Sequence, residues 1–423
     1  MRLSLLLLFL PSILLAQYEL TGTVLEANTG NPLPYVNVFL EGDQSVGVLT
    51  NERGEYRLSL TEAQLQDRVV FSLLSFQTHR EPLWRLDTTA LFFNLSMETA
   101  FVELEEVIVI SDIGLRKIVQ RAIDAIPDNY AREGHLIKGY LRRYDIDNDT
   151  FSYYTEALVN IRERSRKKNF DPWEPITARI EQFRSQATDI ESLRTNNPAM
   201  NLQAGLLAGY LGSLNFGRSG EFGGILLRLA SDKQFTKIMN FSNRGEYLNG
   251  PDTLIRIAYR LDTSMIDHNR SFTSGSIDAW FSGEFLINKA DNAFIQYARG
   301  NEEATSFGEV VYFKHAGKYY PKRLSYSLRV NYKNNTRTHF RHNDLFLLEL
   351  YTDSGEIRKN YRGVTMNMRD PLEAIKVKYD LDFWARSKYL VQLSAPEEMR
   401  YQLERMQQFL EDPKGKLRRD STK

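Results

Sequence analysis

A mainly β protein is predicted: a small N-terminal β-sandwich, a helix, and then a larger antiparallel sheet with a C-terminal helix. Three observations predict it. Short strand-like runs cut by turn residues fill residues 19–60, apolar residues recur at helical spacing over 112–126, and beyond Tyr130 apolar and polar residues alternate with a period of two. A chain of 423 residues accommodates two to three domains at roughly 150 residues each. The expected boundaries are a leader over 1–16, the sandwich over 17–97, a linker or closing strand over 98–111, the β-rich domain with its leading helix over 112–390, and a helix with a basic tail over 391–423.

The first element is Met1-Arg2, the apolar run Leu3 to Leu15, and Ala16-Gln17. A charged start, an apolar core and a small residue at the cut read as a secretory signal peptide cleaved after Ala16. The apolar run holds Pro11 and is well short of the ~20 residues of a spanning helix. The mature chain is therefore expected in the periplasm or at the outer membrane, touching a membrane only peripherally or through a partner. Export without a single cysteine leaves no disulfide framework and no cysteine for a lipid anchor, so stability must come from packed cores. Lys plus Arg equals Asp plus Glu at 54 each, which gives no bias toward nucleic acid. The basic stretches over 162–168 and 414–419 read as a solvated loop and a chain end.

Next comes the sandwich. Glu19–Leu25, Tyr35–Leu40, Gly47–Thr50 and Tyr56–Leu60 read as strands, separated by Asn28-Thr29-Gly30-Asn31-Pro32, Glu41-Gly42-Asp43 and Asn51 to Gly54. In the second run Val36, Val38 and Leu40 point one way and Asn37 the other. Gly30, Gly42 and Gly54 fall where turns call for positive φ, while Pro32 and Pro34 restrict the approach to the next strand. With Gly22 and Gly47 they form the set of structural turn residues: Gly22, Gly30, Pro32, Gly42, Gly47 and Gly54.

The run Gly22-Thr23-Val24, Thr29 to Pro34, Val36-Asn37-Val38, Gly42, Gly47, Thr50, Gly54 to Leu58, and then Val69 to Thr78, resembles the carboxypeptidase regulatory-like domain of Bacteroidetes-type envelope proteins. The resemblance covers about 80 residues, from Glu19 to Met97. It implies a seven-stranded, transthyretin-like sandwich that serves as an accessory module without catalytic residues. Leu104 to Val109 is similar to the joint that leads into TonB-dependent receptors. Too few residues follow Val109 for a plug and a barrel of about 22 strands, so the segment is read as a closing strand or linker.

Asp112 is placed to cap a helix with Leu115, Ile118, Val119, Ala122, Ile123 and Ile126 on one face, ended by Pro127. The block from Lys117 to Tyr130 resembles a segment that follows the regulatory-like domain in a set of Bacteroidetes envelope proteins, without implying an activity. Tyr153–Ile161, Ile255–Leu261 and Leu324–Tyr332 then alternate as half-buried antiparallel strands. Ala279–Lys289 and Ala293–Arg299 form a hairpin across Ala290-Asp291-Asn292. Phe307–Lys314 and Phe340–Thr352 add strands, Asn201–Phe216 a helix or lid, and Pro396–Glu411 an amphipathic helix. The 283–295 hairpin is similar to those of periplasmic lipoprotein carriers, which curl a sheet around an apolar groove. A curved sheet with a docked helix is expected.

Catalytic signatures are sparse. No histidine has Glu three residues later, and neither HExxH nor Gly-x-Ser-x-Gly occurs. His339 and His342 are three apart, which in a strand sends them to opposite faces. Ser165 to Lys168 fits Ser-x-x-Lys by letter without the supporting motifs, and Asp145, Asp147 and Asp149 read as a polar hairpin turn rather than a calcium loop. Hence no catalytic, cofactor-binding or metal residue is predicted, and the protein is not expected to be an enzyme. The expectation is an envelope binding or assembly protein, docked by the sandwich, whose larger domain holds an envelope protein, a glycan or a lipid. The 22 tyrosines, 24 phenylalanines and 4 tryptophans suit such a surface or a core. The alternatives are a periplasmic lipid or lipoprotein carrier, a hydrolase with convergent polar groups in a cleft, and an accessory domain of a TonB-dependent system.

Overall fold

The computed structural model describes residues 18–42, 47–51, 53–73, 76–86, 91–99, 110–131, 133–147, 150–163, 177–187, 235–249, 252–262, 282–300, 306–331 and 338–365, with 377, 380 and 383. The expected leader, the 104–109 joint, the 165–168 motif, the 201–216 helix and the 396–411 helix lie outside them. The chain divides into two compact units, one from residues up to Leu73 and from Thr78 to Thr99, the other mainly from Ala100 to Arg386.

Among its described residues the first unit has seven strands: β1 (Tyr18–Glu26), β2 (Asn37–Leu40), β3 (Gly47–Leu49), β4 (Glu55–Leu60), β5 (Arg68–Ser72), β6 (His79–Pro82) and β7 (Leu95–Met97). They form two small sheets, ordered β4-β1-β7 and β3-β2-β5-β6. Their alternating side chains build the core: Leu20 and Val24 from β1, Val38 and Leu40 from β2, Tyr56 and Leu58 from β4, Val69 and Phe71 from β5 are all buried. The expected strand start moves. Tyr35 lies in the turn after Pro34 with φ +64, and β2 begins at Asn37. Thr50 holds that turn, since its buried hydroxyl accepts from Val36 N at 2.9 Å and donates to Leu33 O at 2.6 Å.

The second unit opens with α1 (Asp112–Asp124) and the single turn α2 (Ile126–Asn129). The cap is Ser111, whose Oγ accepts from Gly114 N, while Asp112 is the first helical residue and accepts from Arg116 at 2.5 Å. Pro127 sits near the start of α2 and does not end α1, in keeping with proline's tolerance in a first helical turn.

Next come β8 (His135–Asp147), β9 (Thr150–Glu163), β10 (Thr177–Ala187), α3 (Phe235–Ile238), β11 (Met239–Asn249), β12 (Asp252–Leu261), β13 (Ser282–Asn288), β14 (Phe294–Arg299), β15 (Ser306–His315), β16 (Lys318–Asn331), β17 (Thr338–Tyr351), α4 (Ser354–Asn360) and β18 (Val364–Thr365). Among the described residues the strands pair antiparallel into one eleven-stranded sheet, ordered β11-β12-β13-β14-β15-β16-β17-β8-β9-β10-β18. Strands β11 to β17 run as a meander, and β17 then returns to β8 with Leu345 opposite Leu141. The predicted hairpin is β13 with β14, turned through Asn292 at φ +56.

One face of this sheet and the helices share a single core. It holds Leu115, Val119, Ala122 and Ile123 of α1 together with Phe241 of β11, Ile257 of β12, Phe285 of β13, Leu141 of β8 and Ile180 of β10. Residues from near both ends of the strand order thus pack into one cluster with the helix. Burying each such large side chain contributes roughly 1.5–3 kcal/mol. Strand β12 alternates as predicted, with Ile255, Ile257 and Tyr259 buried between the less buried Arg256 and Ala258, whereas β9 is buried on both faces: every residue from Thr155 to Ile161 is buried. The physical reason is that the second face carries polar side chains paired with one another, which need no water.

Candidate functional site

The six predicted turn residues fall into separate places. Gly30 and Gly54 take the expected positive φ, +71 and +72. Around β1 they meet Pro32: Gly30 N donates to Glu26 O, Pro32 bridges to Leu25, Leu33 N donates to Val24 O, and Val24 N donates to Gly54 O. Gly22 and Gly47 lie in strands, and Gly42 lies in the bend after β2. Gly22 lies inside β1, where a Cβ would stand 1.9 Å from Phe93 O, so close backbone approach demands glycine there. Gly47 opens β3 opposite Phe39. Gly42 does without positive φ, and its N–H instead donates to Asp67 at 3.0 Å.

Chemistry concentrates on β8, β16 and β17, where the register puts polar groups on both sheet faces. On the helix-covered face, Ile137 and Leu141 of β8 are followed at alternate positions by Arg143 and Asp145. Asp145 is held in a fork: Arg143 Nε and Nη2 donate to it at 3.0 and 2.8 Å, and Arg341 Nη2 of β17 donates at 3.0 Å. Burial pushes the Asp145 carboxyl up, but the two guanidiniums outweigh it and hold the group below its ordinary range. Thr155 and Asn343, buried on the same face, flank the fork. So Asp145 serves the ion pair rather than the polar hairpin turn expected of it, while β8 and β9 do join beside it, with Asp147 opposite Thr150.

On the opposite face Asp344 of β17 collects three donors. Its Oδ2 accepts from Arg142 Nη2 of β8 at 3.2 Å and faces His342 Nε2 at 2.8 Å, and its Oδ1 accepts from Ser325 of β16 at 2.8 Å. Burial raises this carboxyl; the His342 ring and the Arg142 and Arg323 guanidiniums outweigh burial and hold it well below the usual carboxylate range. The other ring nitrogen of His342 meets Ser327 Oγ at 2.7 Å. Nearby, Tyr140 donates to Glu156, and Arg323 and Gln296 both donate to Glu309. At the bulge in β16, desolvation pulls the Lys322 ammonium down to about 8, and it lies 5.4 Å from the Phe313 ring centre. Among the described residues no group of three metal-ligating side chains forms, and no helix is long and apolar enough to cross a membrane.

Sequence reading missed both clusters. Alternation assigns Arg142, Asp344 and Ser327 to a face, but only the pairing of β16 with β17 and β8 brings them together. The signal available was Ser325-x-Ser327 in one strand and His342-x-Asp344 in another, each repeating at the spacing of one face.

Comparison with known proteins adds one assignment. Residues 20–109 match the family model described as CarboxypepD_reg-like domain. No curated protein matches the chain. Among solved structures, a putative outer membrane lipoprotein-sorting protein domain from Vibrio parahaemolyticus aligns with a TM-score of 0.23 and 8% identity, covering 57% of this chain and 96% of that one. A DUF1329 family protein from Desulfovibrio piger gives 0.24 and 7% over 58% and 94%. A LolA superfamily protein from Nitrosomonas europaea gives 0.20 and 8% over 55% and 92%. Over residues 20–109, therefore, the chain carries a carboxypeptidase regulatory-like domain.

Proposed function

We propose that this is an exported cell-envelope binding or assembly protein, with the regulatory-like domain as its docking module and the eleven-stranded sheet as the part that holds a ligand. Binding, not turnover, is its main role. The observation that carries this reading is the change of chemistry along one face of β8: apolar Ile137 and Leu141, then the Arg143–Asp145–Arg341 fork. Arg341, partly exposed at the edge of this packed apolar core, suits the anionic head of an amphiphile, because guanidiniums grip carboxylates and phosphates in a planar fork. The same observation favours a lipid or lipoprotein carrier as the specific form of the binding role.

A dansyl-labelled fatty acid titrated into the full chain tests it. Saturable fluorescence enhancement that weakens at least tenfold in Arg341→Ala supports the reading. Enhancement that is absent, or indifferent to Arg341, removes the ligand-holding role from this face. Fractionation checks export: intact peptides beginning at Met1 in envelope material overturn processing after Ala16.

A further inference from the structure

We propose that the opposite face of the sheet carries a reactive serine, Ser327, activated by His342 and aligned by Asp344, with carboxylic esters as the substrate class. The geometry lies in one cross-strand pair. Ser327 of β16 stands opposite His342 of β17, and Asp344 follows His342 by two residues on the same face. The chain of contacts is Ser327 Oγ to His342 Nδ1 at 2.7 Å and His342 Nε2 to Asp344 Oδ2 at 2.8 Å.

The tautomer follows from the neighbours. Asp344 is buried, so whenever the ring carries a single proton that proton is held on Nε2 facing the carboxylate, and the Nδ1 lone pair is left for the Ser327 hydroxyl proton. Arg142 and Ser325, donating to the same carboxylate, fix it in place. Tyr144 lies against the ring at 5.0 Å between centroids and Phe340 stacks on it at 6.3 Å, which limits its rotation. These are the parts that nucleophilic catalysis by a hydroxyl requires: nucleophile, base and orienting carboxylate.

The reaction balances without a further reagent. Ser327 Oγ attacks the ester carbonyl carbon as its proton passes to His342 Nδ1. The alcohol leaves with that proton, and water hydrolyses the acyl-serine through the same nitrogen, giving one acid and one alcohol. Both neighbours of β16 in the sheet are paired to it, so a nearby pair of free backbone N–H groups is not supplied by the strand itself. The developing oxyanion falls instead to Arg329, exposed on the same face two residues from Ser327, with its guanidinium 5.8 Å from the Phe340 ring centre. Acylation by activated esters should therefore outpace turnover. Ser327 and His342 are the catalytic residues, and Asp344 is a positioning residue.

The experiment uses the full chain and a fluorophosphonate probe, with the adduct located by mass spectrometry. The proposal expects one adduct on Ser327, none in Ser327→Ala, and labelling about a hundredfold slower in His342→Gln. No labelling above that of Ser327→Ala, or an adduct on another serine, overturns it. A second measurement is independent of the probe. The chain has no cysteine, so Ser327→Cys introduces its only thiol. Iodoacetamide alkylation of that variant should titrate well below the ordinary ~8.5 of a free thiol, and should return to it when His342→Gln is added. A midpoint at the ordinary value in Ser327→Cys sinks the relay. Because this face is opposite to the Arg143–Asp145–Arg341 fork, dansyl-lipid binding is expected to be unchanged in Ser327→Ala, so failure here and failure of the binding reading are separately visible.

Discussion

Asp344 shows how much a single side chain decides. A buried carboxylate is costly unless paired, and this one has Arg142, His342 and Ser325 around it. Its folded-state pKa is depressed, so its contribution is fully present above the unfolded value near 4 and is lost as pH falls through the folded value. Asp344→Asn should cost about 3–5 kcal/mol at pH 7, because Arg142 is left buried without its carboxylate. The gap between the two proteins should narrow only below about pH 4. Urea unfolding at pH 7, 5, 3 and 2 checks this, and a gap that is constant across the series refutes the ionic account. Around Asp344 the sequence offers only His342, two residues away on the same strand; Arg142 and Ser325 lie on two other strands.

Helix α1 is the element most fully written in the sequence. Six apolar positions were assigned to one face, and of these Leu115, Val119, Ala122, Ile123 and Ile126 are buried and Ile118 is partly so. The period of 3.6 is a local property of the chain, and the core it meets only has to be apolar. The cap needed more. Ser111 and Asp112 both fit that position by residue type, and the backbone chose Ser111 by being extended there. Leu115→Ala should destabilise the second unit by about 2–5 kcal/mol, because a nearly fully buried side chain leaves a cavity among packed strands. Thermal unfolding followed at the far-ultraviolet β signal measures it, and a change below 1 kcal/mol would mean that α1 does not close the core. The strands were legible by alternation, yet their second face was not, since a polar residue reads as solvent-facing until a partner is known.

At the scale of the molecule, we propose that the regulatory-like domain is a separable module. An isolated 17–111 fragment should fold alone with cooperative unfolding and β-type circular dichroism, since its described core residues lie between Leu20 and Met97. Gly54→Val should damage the fragment by roughly 1–3 kcal/mol, a large part of a small domain's stability. At φ +72 a β-branched residue is strained, and its Cβ would stand 2.3 Å from Val24 O. A fragment that stays unfolded places the boundary wrongly.

The sequence by itself determined what local periodicity and turn chemistry can carry. The sandwich was legible in Gly30, Pro32 and Gly54, in the inward Val36, Val38 and Leu40, and in the resemblance they bear to a known domain. The helix and the 283–295 hairpin were legible in the same way, because each depends on residues within a few positions of one another. Only the tertiary structure decided which strands are neighbours. Strand β17 adds to β8 rather than extending the meander, and this pairing puts Arg341 on Asp145 and Arg142 on Asp344. Register between strands so far apart in sequence is fixed by the whole set of facing side chains, not by any segment alone. The charged clusters of the sheet, and with them the candidate sites, are consequences of that pairing.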